Sequence, residues 1–141
     1  MPSALLVRDV MTADPLTLSP EDSLMEARQI MQLRKIRRIP VVAGGRLVGL
    51  VAQGDVKRAE PSTLTATQEE FVSVMEGTLI AQIMMENLVT TTPDTPLKDA
   101  ARALWKNKYG ALPVLEGEKL VGILTDNDLI GALLKLLDAE A

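Results

Sequence analysis

The chain contains no cysteine and no histidine in its 141 residues. The first absence excludes disulfides, thiolate nucleophiles and zinc–sulfur sites. The second removes the commonest general base and the commonest metal ligand. Aromatic residues are 2% of the sequence against 47% hydrophobic in all, so any core has to be aliphatic, built from Leu, Val, Ile, Ala and Met. No apolar run is long enough to span a bilayer, and Met1-Pro2-Ser3 opens no signal-peptide pattern; the expectation is a cytoplasmic chain with no membrane partner. An excess of positive charge is lacking too. A formal net charge of -4 and a pI near 4.9 argue against a nucleic-acid surface.

What is present is a duplication. The stretch Leu120-Val121-Gly122-Ile123-Leu124-Thr125-Asp126-Asn127-Asp128-Leu129 has an earlier copy in Leu47-Val48-Gly49-Leu50-Val51-Ala52-Gln53-Gly54-Asp55-Val56. Asp128 minus Asp55 is an offset of 73, and the same offset pairs Met84 with Met11, Pro93 with Pro20, Pro113 with Pro40, Leu97 with Leu24, Lys108 with Lys35 and Gly117 with Gly44. No gap is needed from about residue 10 to residue 59. Each copy, of roughly 60 residues, would be marginal alone, so the two are expected to share one core.

The periodicities divide the chain into a first copy at 5–60, a linker at 61–77 and a second copy at 78–138. A short helix, Leu5 to Met11, leads into a turn at Ala13-Asp14-Pro15 and a strand, Leu16-Thr17-Leu18. A helix follows with Asp22 as N-cap and Leu24, Ala27, Ile30 and Met31 as its buried stripe, ending in the basic cluster Arg34-Lys35-Ile36-Arg37-Arg38. Two strands, Ile39 to Val42 and Leu47 to Val51, flank the Gly44-Gly45 turn, and a helix begins near Gln53. In the linker Thr67-Gln68-Glu69-Glu70 is a capping box ahead of a helix whose Phe71 packs on the shared core. The second copy repeats the order: helix Thr78 to Met84, strand Leu88 to Thr92, Thr95 as N-cap with Pro96 in the first helical position, and a stripe of Leu97, Ala100, Ala101 and Leu104 beside a partly buried Trp105. Strands Leu112 to Leu115 and Leu120 to Leu124 precede a helix, Asp128 to Leu137. That helix is so rich in leucine that part of it should meet another surface, by dimerisation or through a further domain. The fold class is α/β (α+β).

The chemistry sits where the last strand runs into the last helix. A helix start presents unpaired N–H groups and partial positive charge, which suit a phosphate, while Asp128 is placed to accept from ribose hydroxyls. Thr125 with Asp128 three residues on is equally a capping box that needs no ligand. Asp126 and Asp128 lie two residues apart and do not face each other on a helix, so they make a poor catalytic pair. No catalytic residue and no metal site is expected.

Met11 with Thr17 and Pro20, the Pro40-Val41-Val42 strand, Leu47-Val48-Gly49 and Asp55 resemble a cystathionine beta-synthase (CBS) domain. The second copy, ending in Gly122-Ile123-Leu124-Thr125-Asp126-Asn127-Asp128-Leu129, resembles it again. The linker resembles that of bacterial proteins related to acetoin utilisation. The resemblance implies two β-α-β-β-α repeats packed sheet-to-sheet with pseudo-twofold symmetry, forming a Bateman module with two clefts. It also implies binding of AMP, ADP or ATP, or alternatively S-adenosylmethionine, with no other cofactor, a homodimer, and an effector protein as partner. By the same resemblance Thr125 and Asp128 serve one cleft and Asp55 the other, where Ala52 departs from the usual Thr or Ser. Residues before the proline strands, Arg37, Arg38, Gly110 and Ala111, would contribute. Backbone at Ala13 to Leu16 would flank the adenine of the Thr125 site, and Asn87 to Val89 that of the Asp55 site. Arginine suits bidentate phosphate contact, although Arg37 and Arg38 also suit a plain helix terminus. Gly110 and Ala111 are small enough for a ring to approach the backbone. With its hydroxyl lost at Ala52, the Asp55 site is expected to bind more weakly. A protein-interaction module with no physiological nucleotide is the alternative.

Overall fold

The computed structural model describes residues 5–107 and 110–140; Met1-Pro2-Ser3 and Lys108 lie outside the described residues. The elements are α1 (Val7–Val10), β1 (Thr12–Ala13), α2 (Leu24–Arg34), β2 (Arg38–Ala43), β3 (Arg46–Ala52), α3 (Gln53–Ala59), α4 (Gln68–Gly77), a 3-10 turn at Ile80–Gln82, α5 (Leu97–Asn107), β4 (Ala111–Glu116), β5 (Lys119–Thr125) and α6 (Asp126–Glu140). No described helix is long and apolar enough to cross a membrane.

Two compact units form, and they cross the boundaries of the duplication. One unit holds Leu16–Leu88, and the other joins the residues up to Pro15 with those from Val89 onward. The division at 5–60, 61–77 and 78–138 follows the repeat, whereas the units follow backbone pairing. A four-residue helix such as α1 cannot bury itself, so each leading segment lies against the start of the other copy's long helix. Leu6 bridges Pro96 in one unit and Leu79 bridges Ser23 in the other. The Val7 N–H donates to the Thr95 carbonyl at 2.9 Å, and Ile80, 73 residues on, donates to Asp22 at 2.8 Å. The Leu97 N–H reaches Leu5 at 2.9 Å and the Leu24 N–H reaches Thr78 at 2.8 Å.

The buried aliphatic residues form two clusters, one in each unit. The first packs Leu24, Ala27 and Met31 of α2 against Ile39, Val41, Val51 and Val56, closed by Met75 of α4 and by Ile80. Phe71 packs at the edge of this cluster, with the Arg28 guanidinium 5.5 Å from its ring centroid. The second packs Ala100 and Leu104 of α5 against Leu112, Val114 and Leu124, closed by Val7. Each copy obtains its core by borrowing one short segment from the other.

The sheets are small. β2 and β3 pair antiparallel with Ile39 opposite Val51, and β1, β5 and β4 form a three-stranded sheet with Leu112 opposite Leu124. The strands expected at Leu16-Thr17-Leu18 and Leu88 to Thr92 contract to single parallel bridges, Leu18 to Val41 and Thr91 to Val114. Pro40 and Pro113 have no N–H, and their carbonyls accept instead from Leu18 at 2.9 Å and Thr91 at 3.0 Å. Strand structure appears one step earlier, at Thr12–Ala13, and the chain turns at Asp14, whose φ is 48°.

Helix starts shift by a residue. Ser23 caps α2, accepting from the Glu26 N–H at 3.2 Å, because the Asp22 carboxylate is engaged by the Ser19 N–H at 2.7 Å. Likewise α5 starts at Leu97, and the Thr95 hydroxyl accepts from the Thr92 N–H at 3.3 Å rather than capping the helix. Thr67 caps α4 as expected, accepting from the Glu70 N–H at 3.1 Å. The leading helix read at Thr78 to Met84 is only the 3-10 turn, and α6 runs longer than Asp128 to Leu137. Trp105 is not partly buried: it is 80% exposed, because it lies one residue, about 100° of helix, past Leu104 on the buried stripe.

Candidate functional site

Each unit carries a strand that enters a helix without a connecting residue. In one, β5 ends at Thr125 and α6 begins at Asp126. The Thr125 N–H donates to Asp128 Oδ2 at 2.9 Å, and the Asp128 N–H donates to Thr125 Oγ1 at 3.1 Å. The capping box is therefore made. It leaves the Thr125 hydroxyl hydrogen available to a further acceptor, since Oγ1 is used here only to accept. The second carboxylate oxygen, Asp128 Oδ1, accepts from Thr12 Oγ1 at 3.3 Å. That bond is long and exposed, so an incoming hydroxyl can replace it.

The same junction draws in the segment before β4. Ala111 pairs with Thr125 across the strands, and the Asp126 N–H donates to the Gly110 carbonyl at 3.0 Å. Gly110 has a φ of 74°, left-handed backbone that favours glycine. Ala13, in β1, lies opposite Gly122 of β5. A Cβ on Gly122 would stand 2.6 Å from Met11 Sδ and 3.0 Å from the Thr12 carbonyl oxygen, so the glycine lets β1 lie against β5. Val89 belongs to this unit too, packed against its aliphatic cluster.

The copy in the other unit differs. Asp55 Oδ2 accepts from the Ala52 N–H at 2.8 Å, but Ala52 has no hydroxyl with which to complete the box. The other oxygen, Oδ1, is held by Arg58 Nη2 at 2.5 Å; the Arg58 side chain is 74% exposed and that of Asp55 only 15%. Arg38 pairs with Ala52, and the Arg37 carbonyl accepts from the Gln53 N–H at 2.8 Å. Leu16, 44% exposed, is also in this unit.

Thr125, Asp128, Gly110, Ala111, Ala13 and Val89 therefore share one unit, and Asp55, Arg37, Arg38 and Leu16 the other. The unit boundaries fall after Pro15, within the stretch read as flanking the Thr125 adenine, and after Leu88, within the stretch read for the Asp55 site. Two participants escaped the sequence reading. Arg58 was detectable, because the offset sets it against Gly131. Thr12 was not: its counterpart is Met85, so the duplication carries no hint of a hydroxyl there. Among the described residues no group of three or more His, Cys, Asp or Glu could hold a metal ion.

Comparison with known proteins locates this architecture. A crystal structure of an acetoin utilization protein (AcuB) from Vibrio cholerae matches with TM-score 0.81 and 32% identity, over 96% of this chain and 95% of that one. CBSX2 in complex with AMP matches with TM-score 0.77 and 28% identity, over 93% and 97%. The CBS domain pair of MJ0100, in complex with 5-methylthioadenosine and S-adenosyl-L-methionine, matches with TM-score 0.76 and 28% identity, over 92% and 96%. The chain spans only 23% and 45% of the length of the first two curated relatives it matches. The CBS domain pattern itself fits twice, at residues 7–62 and 80–135. Both copies fit the pattern and both units have the fold, and the chain belongs to the CBS domain family as a tandem pair.

Proposed function

We propose that this CBS pair is a non-catalytic regulatory module that binds an adenosine-containing ligand, AMP, ADP or ATP, at its strand–helix junctions. The observation that carries the reading is the Thr125–Asp128 junction. It combines a 15-residue helix start, a hydroxyl with a hydrogen to donate and a carboxylate oxygen held only by an exposed 3.3 Å bond. Ribose hydroxyls donate to Asp128 Oδ1 in place of Thr12, and the phosphate faces Thr125 and the first turn of α6. Gly110, beside the junction, has no side chain to obstruct the base, with Ala13 on the neighbouring strand. The AMP complex of CBSX2 supports this ligand class, and the MJ0100 complex supports S-adenosylmethionine as the alternative.

The residue types present support binding without turnover. There is no histidine or cysteine, and one oxygen of Asp128 and one of Asp126 accept from backbone N–H groups. We take the module to act in the cytoplasm, transmitting nucleotide level to an effector protein. A thermal-shift series with AMP, ADP, ATP and S-adenosylmethionine tests the reading. A ligand at 100 times its Kd should add about 2.7 kcal/mol of stability. No shift with any of the four would overturn it, and ATP hydrolysis lost in Asp128→Ala would convert it to an enzyme.

A second reading, an interaction module that dimerises, rests on α6. Ile130, Leu133, Leu134 and Leu137 of that helix are each 51–56% exposed. The two readings are compatible: a homodimer through α6 leaves the junctions to the ligand.

A further inference from the structure

The first copy gathers exposed cations at one corner. α2 ends at Arg34, Lys35 follows as its C-cap, and Arg37 leads into β2. α3 starts beside this corner, where the Gln53 N–H donates to the Arg37 carbonyl at 2.8 Å, and stops where Glu60 pairs with Arg28 Nε at 3.0 Å. It therefore runs back along α2. Lys57, three residues before Glu60, lies on the same face of α3 as that pair. Arg34, Lys35, Arg37 and Lys57 are all exposed, and among the described residues their side chains have no hydrogen-bond or ion-pair partner. The neighbouring carboxylates are already engaged, Glu60 by Arg28 and Asp55 by Arg58.

A helix end attracts cations by itself, but this fold does not need them there. In the second copy Asn107, Gly110 and Ile130 stand where Arg34, Arg37 and Lys57 do; α5 and α6 form all the same, and the last turn of α6 has no basic residue. Lys35 is kept at a cost to the backbone. Its φ of 55° and ψ of 41° are left-handed, where glycine is favoured. Leu33 stands two residues ahead of it, 80% exposed. We propose that this corner is the docking surface for an acidic segment of an effector protein, with carboxylates on Arg34, Lys35, Arg37 and Lys57 and an apolar side chain on Leu33. A nucleic acid suits the corner less well. The one aromatic of this unit, Phe71, lies between its aliphatic cluster and Arg28 and offers no face to a base, and the net charge of the chain is -4. That the partner is an effector rests on the reading above; the surface itself needs no nucleotide.

The test is fluorescence anisotropy with the whole chain, without nucleotide, and a labelled oligoglutamate peptide carrying one central leucine. Wild type should bind it at low salt and release it at high salt. Arg34→Gln with Arg37→Gln should weaken binding about tenfold, whereas Lys98→Gln with Lys119→Gln, which removes the same charge elsewhere, should leave it unchanged. Lys35→Gly should weaken binding without lowering Tm, since glycine suits that backbone. Leu33→Gln should cost more with this peptide than with one carrying serine in place of leucine. Wild type that does not bind, equal losses in the two double variants, or tighter binding of a single-stranded oligonucleotide of the same charge overturns the docking surface while the adenosyl reading stands. Peptide binding with no thermal shift from any nucleotide keeps the docking surface and overturns only the adenosyl reading.

Discussion

Gly49 and Gly122 occupy the same place in the two copies, and alanine there should destabilise the protein unequally. A Cβ at Gly49 would stand 2.6 Å from Met84 Sδ, 2.9 Å from its Cγ and 3.2 Å from its Cβ, all atoms of one unbranched side chain. A Cβ at Gly122 would stand 2.6 Å from Met11 Sδ but also 3.0 Å from the Thr12 carbonyl oxygen, which is backbone. Methionine can rotate away. Thr12 cannot move without shifting β1 in its pairing with Ile123 and Gly122. Overpacking costs roughly 1–3 kcal/mol, against a gain of about 0.5–1 kcal/mol from removing glycine's freedom in the unfolded chain. The expected net loss is about 0.5–1 kcal/mol for Gly49→Ala and about 2 kcal/mol or more for Gly122→Ala. In a chain of this size that corresponds to roughly 2–4 °C and 6–10 °C in Tm. Calorimetric melts of the single variants and of doubles with Met84→Ala and Met11→Ala complete the measurement. Coupling energy should be large in the Met84 cycle and small in the Met11 cycle, because removing Met11 leaves the carbonyl in place. Equal losses at the two glycines, or full relief by Met11→Ala, would refute the argument.

Two further outcomes follow from the junction and the last helix. Asp128→Ala removes the carboxylate that accepts from the Thr125 N–H and the Thr12 hydroxyl, and should lower stability without ligand by about 1–2 kcal/mol in urea melts. A loss no larger than that of an exposed control such as Asp138→Ala would mean the box contributes nothing. Leu133→Glu with Leu137→Glu, on the half-exposed face of α6, should turn a homodimer into a monomer by sedimentation at micromolar concentration with little change in monomer secondary structure. A wild-type monomer would remove the dimer reading.

Most of the element order was legible because the duplication doubles every signal. Pro40 and Pro113, Gly49 and Gly122, and Asp55 and Asp128 each mark the same turn of the same motif, and the structure gives each pair the same role. What failed to show was pairing over long separations. Thr12–Ala13 becomes a strand only because β5, more than 100 residues later, offers an edge, and a two-residue strand has no periodicity to read. Asp22 lost the cap to Ser23 since both are good cap residues and the Ser19 turn claims the aspartate. Trp105 was misplaced by reasoning from residue type, when its position beside the Leu104 stripe already pointed outward. At the site, the repeat exposed the missing hydroxyl at Ala52, whereas the arginine bonded to Asp55 Oδ1, where the other copy has the Thr12 hydroxyl on Asp128 Oδ1, has glycine as its counterpart in the repeat.

The exchange of leading segments also decides which fragments can fold. A fragment ending at Glu60 follows the sequence repeat but loses Met75 and Ile80, both fully buried in the cluster of α2, β2, β3 and α3. Each contributes about 1.5–3 kcal/mol by burial, and the hydrogen bonds of Leu24 to Thr78 and of Ile80 to Asp22 go with them. A unit of some 70 residues has a net stability of roughly 4–10 kcal/mol, so the loss is comparable with the whole. The fragment Leu16–Leu88, which cuts across the repeat, keeps the entire cluster. It should show a cooperative melt and dispersed methyl resonances, while the fragment of residues 5–60 should be unfolded or recover order only by self-association. A cooperative, monomeric 5–60 fragment would mean that the borrowed segment is an ornament on a self-sufficient repeat, and the reading of two mutually completed units would fall.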